Sequence, residues 1–161
     1  MITSDNKPYG LHRPRVESQF TGTKILSLRM TREPSFTLAE KDTYVTRAYI
    51  TIKLDDLNYK YALGLFNSKL FYYWLFKMGK RKGKQLQIDQ AQIMELPVFV
   101  PSIEEQEKVI EKVNQLLYLL QNNQDVSDVL NEIDMLIYNL YELDDSEIST
   151  INSFIDGLRG V

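Results

Sequence analysis

Cysteine is absent from the 161 residues, and histidine occurs once, at His12. Without thiols there is no disulfide framework and no thiolate metal site. A single imidazole excludes the usual zinc sets. The five prolines are never adjacent, so no Asn-Pro-Pro-Tyr sequence of an amino-methyltransferase is present. There is no Gly-x-Gly for a nucleotide cofactor, and no Glu-x-Lys to complete the carboxylate–lysine set of a nuclease. Gly79-Lys-Arg-Lys-Gly83-Lys84-Gln85 is one residue short of a phosphate-binding P-loop. Gln85 also stands where a magnesium-binding Ser or Thr belongs, and the run follows a helix rather than a strand. These gaps predict a chain that catalyses nothing alone. No charged-then-apolar leader is seen, so the location read from the sequence is cytoplasmic.

With 43% apolar and 25% charged residues, the composition is that of an ordinary globular protein. The net charge of −3 hides an asymmetry. Residues 1–95 carry 16 Lys and Arg against 9 Asp and Glu, a balance of +7, and residues 96–161 carry 3 against 13, a balance of −10. Two surfaces with different partners are implied.

Pro8, Gly10, Pro14 and Gly22 mark the first stretch as irregular. Alternation then predicts strands. Leu26, Leu28 and Met30 share one face, Phe36 and Leu38 flank Thr37, and Ala48, Ile50 and Ile52 alternate with Tyr49, Thr51 and Lys53. Asp55-Asp56 are candidate caps for a helix from about Leu57. The apolar stretch from Tyr61 to Met78 approaches membrane-spanning length, but Asn67, Ser68, Lys69 and Lys77 interrupt it. Asn67-Ser68 reads as a break and a new N-cap. The aromatic residues Phe71, Tyr72, Tyr73, Trp74 and Phe76 are then expected in the core against the sheet. After a glycine-framed basic loop come a short strand at Leu86 and Ile88, a turn capped by Asp89, and the proline-bracketed run Leu96–Pro101. Ser102 and Glu105 form a capping box. Three-and-four spacing predicts two long helices, and Asp144 with Glu147 begins a third, short one.

The fold class read from these signals is α+β: a small, mainly antiparallel sheet packed on apolar helices, followed by a C-terminal helical hairpin with a short third helix. Residues 1–100 and 101–161 are the expected domains. Lys80, Arg81, Lys82 and Lys84 sit where glycines let backbone approach phosphates, giving salt-sensitive affinity without sequence preference. Arg13, Arg15, Arg29, Arg32 and Arg47 are candidate base readers, because arginine bonds guanine bidentately in the major groove. The competing expectation is ordinary surface pairing with Glu17, Glu33 or Glu40.

Ala62-Leu63-Gly64-Leu65-Phe66-Asn67-Ser68-Lys69-Leu70 resembles the "LLGILNSKL" helix break of TaqI-like C-terminal specificity domains. Leu96–Pro101, followed by Glu105-Gln106, resembles the "LPIP…P…EQ" junction of those domains and of type I restriction specificity subunits. Ile133–Leu143 is similar to the "IDxLVYxLYxL" ending of fused restriction–modification enzymes. The three occur in the family order, and the likeness runs from about Tyr9 to Phe154. The resemblance implies the target-recognition part of an adenine-N6 DNA methyltransferase or of a single-chain restriction–modification enzyme. It also implies a partly β domain docked in the major groove, and helices that set its position. The chain then reads as a C-terminal piece or a stand-alone specificity subunit. S-adenosylmethionine would belong to the catalytic partner, with no cofactor in this chain. No base-reading residue is fixed by the family motif.

The partners expected are double-stranded DNA, an adenine methyltransferase domain or subunit, and a second copy through the C-terminal helices, with no membrane. The alternative reading is a helical adaptor whose small sheet domain grips another protein without binding DNA.

Overall fold

The computed structural model describes residues 16–83 and 85–159; His12, Arg13, Arg15 and Lys84 lie outside the described residues. Alternation in β1 (Lys24–Leu28) turns Ile25 and Ser27 toward the interior. In register beside them stand Phe36 and Leu38 of β3 (Phe36–Ala39) and Ile50 and Ile52 of β4 (Tyr49–Ile52). This antiparallel sheet has the order β3-β1-β4. Leu26 and Leu28 share the opposite face, as the alternation predicts, with Leu26 buried and Leu28 41% exposed. Lys24 is also buried, and its ammonium donates to Gly22 O (2.7 Å) and Lys41 O (2.8 Å).

The chain does not stop at Leu28. Arg29 N–H donates to Ala48 O, while Arg29 O accepts from Ile88 N–H, both at 2.8 Å. One residue thus hands the strand from the first sheet to a second, formed by β2 (Met30–Thr31), β6 (Gln85–Gln87) and β5 (Lys80–Lys82) in the order β2-β6-β5. The expected antiparallel strands are therefore divided between two sheets.

Helix α1 (Tyr59–Asn67) starts later than Asp55-Asp56 suggest. Tyr59 Oη accepts Leu54 N–H at 3.1 Å and closes a turn over residues 55–58. Asn58, at the end of that turn, is the N-cap and accepts from Lys60 and Tyr61 N–H. Ser68 breaks the helix as expected. Its backbone is extended, and its hydroxyl accepts Phe71 N–H to start α2 (Lys69–Met78). A five-residue α3 (Gln90–Met94) follows Asp89, and Gln92 reaches back to accept Asp89 N–H at 2.8 Å.

Ser102 and Glu105 form their capping box at the start of α4 (Ile103–Gln121). Helices α4 and α5 (Ser127–Leu140) make the hairpin. The third helix, α6 (Asp145–Arg159), is not short: its 15 residues exceed the 14 of α5. Reciprocal bonds between Asp144 and Glu147 cap it, and Ile148, Ile151 and Ile155 extend its apolar stripe.

The aromatic run packs differently from the sequence expectation. Phe71 enters the main core beside Phe66, but Tyr72 joins Tyr138, Ile151 and Ile155 in a second cluster. Tyr73 and Phe76 both meet Phe154 edge-on, with ring centroids 5.1 and 5.0 Å away. Helix α2 carries apolar groups around much of its girth, so one side is left for α6. The main core is shared by both halves of the sequence: Val109, Val113, Ile133 and Ile137 pack with Ile25, Ile50, Leu63 and Leu65. Side chains buried this fully contribute about 1.5–3 kcal/mol each. Among the described residues, no helix is long and apolar enough to cross a membrane.

Candidate nucleic-acid interface

The glycine-framed basic run is half of a hairpin rather than a free loop. Gly83, at φ +64°, supplies the left-handed conformation at its turn. Lys80, Arg81 and Lys82 pair with Gln87, Leu86 and Gln85. Residues directly opposite in such a ladder point to the same side. Arg81 therefore follows the buried Leu86, and its guanidinium lies 4.7 Å from the Phe76 ring centroid. Lys80 and Lys82 take the other, open face with Gln85, Gln87 and Met30, since Met30 also pairs with Gln87.

At the rim of this face, Gln87 Nε2 donates to Asp89 Oδ2 at 2.7 Å. The other Asp89 oxygen lies 3.5 Å from Arg29 Nη1. Arg29 is thus paired, with Asp89 rather than with any of the glutamates expected, and it remains 37% exposed. Arg47 precedes Ala48, whose carbonyl holds Arg29 N–H, so the Arg47 turn lies beside the transfer point. From β5 across β6 to β2 is two strand spacings, roughly 10 Å. A major groove is about 12 Å wide.

Arg32, Arg47, Lys80 and Lys82 are exposed, with no side-chain partner among the described residues. Several other cations are engaged within the molecule, while Lys41 is exposed without a side-chain partner among the described residues. Lys53 bonds Thr21 O, Lys60 bonds Asn114, and Lys77 lies over the rings of Tyr73 and Phe154. Glu33, a partner considered for the arginines, pairs with Arg159 and ties α6 to the turn after β2. Glu17 accepts from the Tyr44 hydroxyl.

The residues of the three motifs do not line this face. They join the elements behind it. Asn67 accepts Phe36 N–H (2.9 Å) and donates to Phe36 O (3.0 Å) and Leu63 O (2.9 Å), fastening the helix break to the edge of the sheet. Next to it, Lys69 N–H donates to Asp134 on α5. Burial pushes the Asp134 carboxyl above its ordinary range, against the lowering effect of Lys69. At the proline-bracketed run, the Tyr141 hydroxyl accepts Phe99 N–H (2.9 Å) and donates to Pro97 O (2.7 Å). The Tyr61 hydroxyl donates to Phe99 O at 2.8 Å. Burial raises the pKa of both phenols. Neither tyrosine is poised for proton transfer near neutrality.

A cleft of about 460 Å³ opens between β3, α1, α4 and α5, lined by Leu63, Leu116, Leu117 and Leu130 with Lys69 and Arg159 at its polar side. Among the described residues, none of the predicted cations lines it. Among the described residues there is no group of three side chains suited to a metal ion.

Sequence reasoning centred on formal charge missed Gln85, Gln87 and Asp89. The available signal was alternation: Gln85 and Gln87 fall two apart, across a glycine turn from Lys82 and Lys80.

A two-sheet core that presents cations and amides on one open face fits the class of recognition modules. The description of the TaqI-like C-terminal specificity domain matches residues 4–98, more than half of the chain, and the chain belongs to that family. Membership of a specificity-domain family supports reading the chain as a DNA-recognition module of restriction–modification enzymes. No curated protein matches the chain.

Proposed function

We propose that the chain recognises a specific double-stranded DNA sequence on behalf of an adenine-N6 methyltransferase, with or without a fused endonuclease. The observation that carries this reading is the open face of the second sheet, where Lys80 and Lys82 stand among Gln85, Gln87 and Met30. Ammonium groups there neutralise phosphates and release counterions, which supplies affinity that falls with salt. Exposed Arg32 and Arg47, and Arg29 at the rim, reach base edges. Arg81 supports the hairpin through Phe76 and offers its remaining donors at the edge. The recognised site places an adenine for extrusion into a separate domain, which holds S-adenosylmethionine.

The acidic helices α4 and α5 are unsuited to DNA, because their carboxylates repel phosphate. They face the catalytic partner, or a second copy of this chain. Exposed Tyr118, Leu120 and Met135 give that surface an apolar component.

The test is a fluorescence-anisotropy titration of the full chain with duplex DNA at several salt concentrations. Affinity is expected to fall steeply with salt and to be lost in the double variant Lys80→Glu/Lys82→Glu. Salt-independent binding, or binding indifferent to this charge reversal, refutes the phosphate-anchoring account. Self-association without any retention on DNA favours the adaptor reading instead.

A further inference from the structure

The geometry points to Gln87 as a residue that reads adenine in the major groove, with Asp89 as its positioning residue; the inference rests on the DNA-recognition reading above. Gln87 occupies the middle strand of the second sheet, with Lys80 paired on one side and Met30 on the other. Its backbone is therefore held from both flanks, and its side chain stands on the open face beside an ammonium group.

The amide has a defined orientation. An ionised carboxylate only accepts hydrogen bonds, so the group that Gln87 turns toward Asp89 at 2.7 Å is its NH2. Asp89 is itself fixed: its backbone N–H is held by Gln92 Oε1 at 2.8 Å, and its second oxygen lies against Arg29. One N–H and the carbonyl oxygen of Gln87 then have no partner among the described residues. They form an adjacent donor and acceptor.

Adenine presents the complement of that pair, an acceptor at N7 beside a donor at N6. Guanine presents two acceptors, N7 and O6, so the Gln87 carbonyl would oppose O6. A free side-chain amide can rotate to suit other edges, but one tethered by Asp89 cannot. Arg29 offsets the negative charge that Asp89 would otherwise bring close to phosphates. A mere strut between β6 and α3 accounts for one of the three polar sites on the amide and leaves the other two without a role.

The experiment is selection from a randomised duplex library by the full chain, comparing wild type with Gln87→Ala and with Gln87→Met. The Met variant keeps the side-chain length while removing both polar atoms. Wild type is expected to enrich duplexes with one position fixed as an A·T pair, and both variants to accept any base there while keeping the remaining preferences. Affinity for the selected duplex should fall on the order of tenfold in each variant. Replacing the selected adenine by 7-deazaadenine should weaken wild type and leave Gln87→Ala unaffected. Asp89→Ala should blur preference at the same position, a readout that a purely structural tie would not move. An unchanged selection profile in the Gln87 variants, or an equal loss of affinity for every sequence, overturns the inference and leaves the DNA-recognition reading standing. No enrichment of any duplex by wild type overturns both.

Discussion

The backbone N–H of Lys69 donates to Asp134 Oδ1 at 2.8 Å, across 65 residues of sequence, and the Lys69 ammonium lies 3.7 Å from the second oxygen. The first turn of α2 is thereby fastened to the middle of α5. Removal of the acceptor leaves a poorly solvated N–H, so Asp134→Ala should cost about 1–3 kcal/mol in urea unfolding. Asp134→Asn retains an acceptor and should cost less. Equal losses in the two variants would show that the ion pair, rather than the hydrogen bond, carries the joint.

The same residue gives a pH signature. Because burial raises the Asp134 pKa above its ordinary 3.8, the folded state takes up a proton before the unfolded chain does. Its contribution to stability is full below 3.8 and is lost as pH rises through the raised value. Glu105 behaves oppositely. Bonds from the Ser102 hydroxyl and N–H lower its pKa, so its contribution is full above 4.5 and fades as pH falls through the lowered value. Denaturation across acidic pH should therefore show wild type gaining on Asp134→Asn on acidification, and losing its advantage over Glu105→Gln.

Asn67 clasps the sheet edge with two bonds to Phe36 and its own helix with a third to Leu63. Asn67→Ala should lower stability by about 1–2 kcal/mol. Asn67→Asp should be at least as damaging at neutral pH, since a carboxylate cannot donate to the Phe36 and Leu63 carbonyls. Acid should narrow that gap by restoring a donor. Thermal unfolding of both variants at two pH values checks the sign.

Gly64 lies where α1 meets α4. A Cβ there would stand 2.9 Å from Val109 Cγ1 and 3.0 Å from Val113 Cγ2. Alanine normally favours a helix interior over glycine by about 1 kcal/mol. Overpacking here opposes that gain, so Gly64→Ala should be net destabilising by about 1–2 kcal/mol. A more stable variant would mean that α4 shifts freely away from α1.

Tyr141 holds the proline-bracketed segment from both polarities, accepting Phe99 N–H and donating to Pro97 O. Tyr141→Phe should therefore speed hydrogen exchange at Phe99 selectively, leaving the helical amides of α5 near their wild-type protection. Uniform acceleration would instead indicate global loss of stability.

Local chemistry was legible in the sequence wherever a signal acts over three or four residues. The Ser68 break, the Ser102–Glu105 box and the Asp144–Glu147 cap all form where the side-chain spacing puts them. At residues 55–58, three polar candidates compete, and the Tyr59–Leu54 contact decides in favour of Asn58. Lys80–Lys82 does not read as a strand, because charged residues have little intrinsic preference for one; the ladder with Gln85–Gln87 imposes it. Arg29 and Asp89 are 60 positions apart, so their pairing, and with it the orientation of the Gln87 amide, has no local signature. The asymmetry of charge was plain in the sequence, while the division of Arg81 from Lys80 and Lys82 required the pleat of the sheet.

Lysine footprinting tests most directly which face meets DNA. The full chain is treated with an amine-acylating reagent, with and without a bound duplex, and each lysine is quantified by mass spectrometry. The account predicts that Lys80 and Lys82 lose reactivity when the duplex binds, while Lys108 on the acidic helix α4 keeps its own. Undiminished reactivity of Lys80 and Lys82 in a chain that has bound DNA would contradict it.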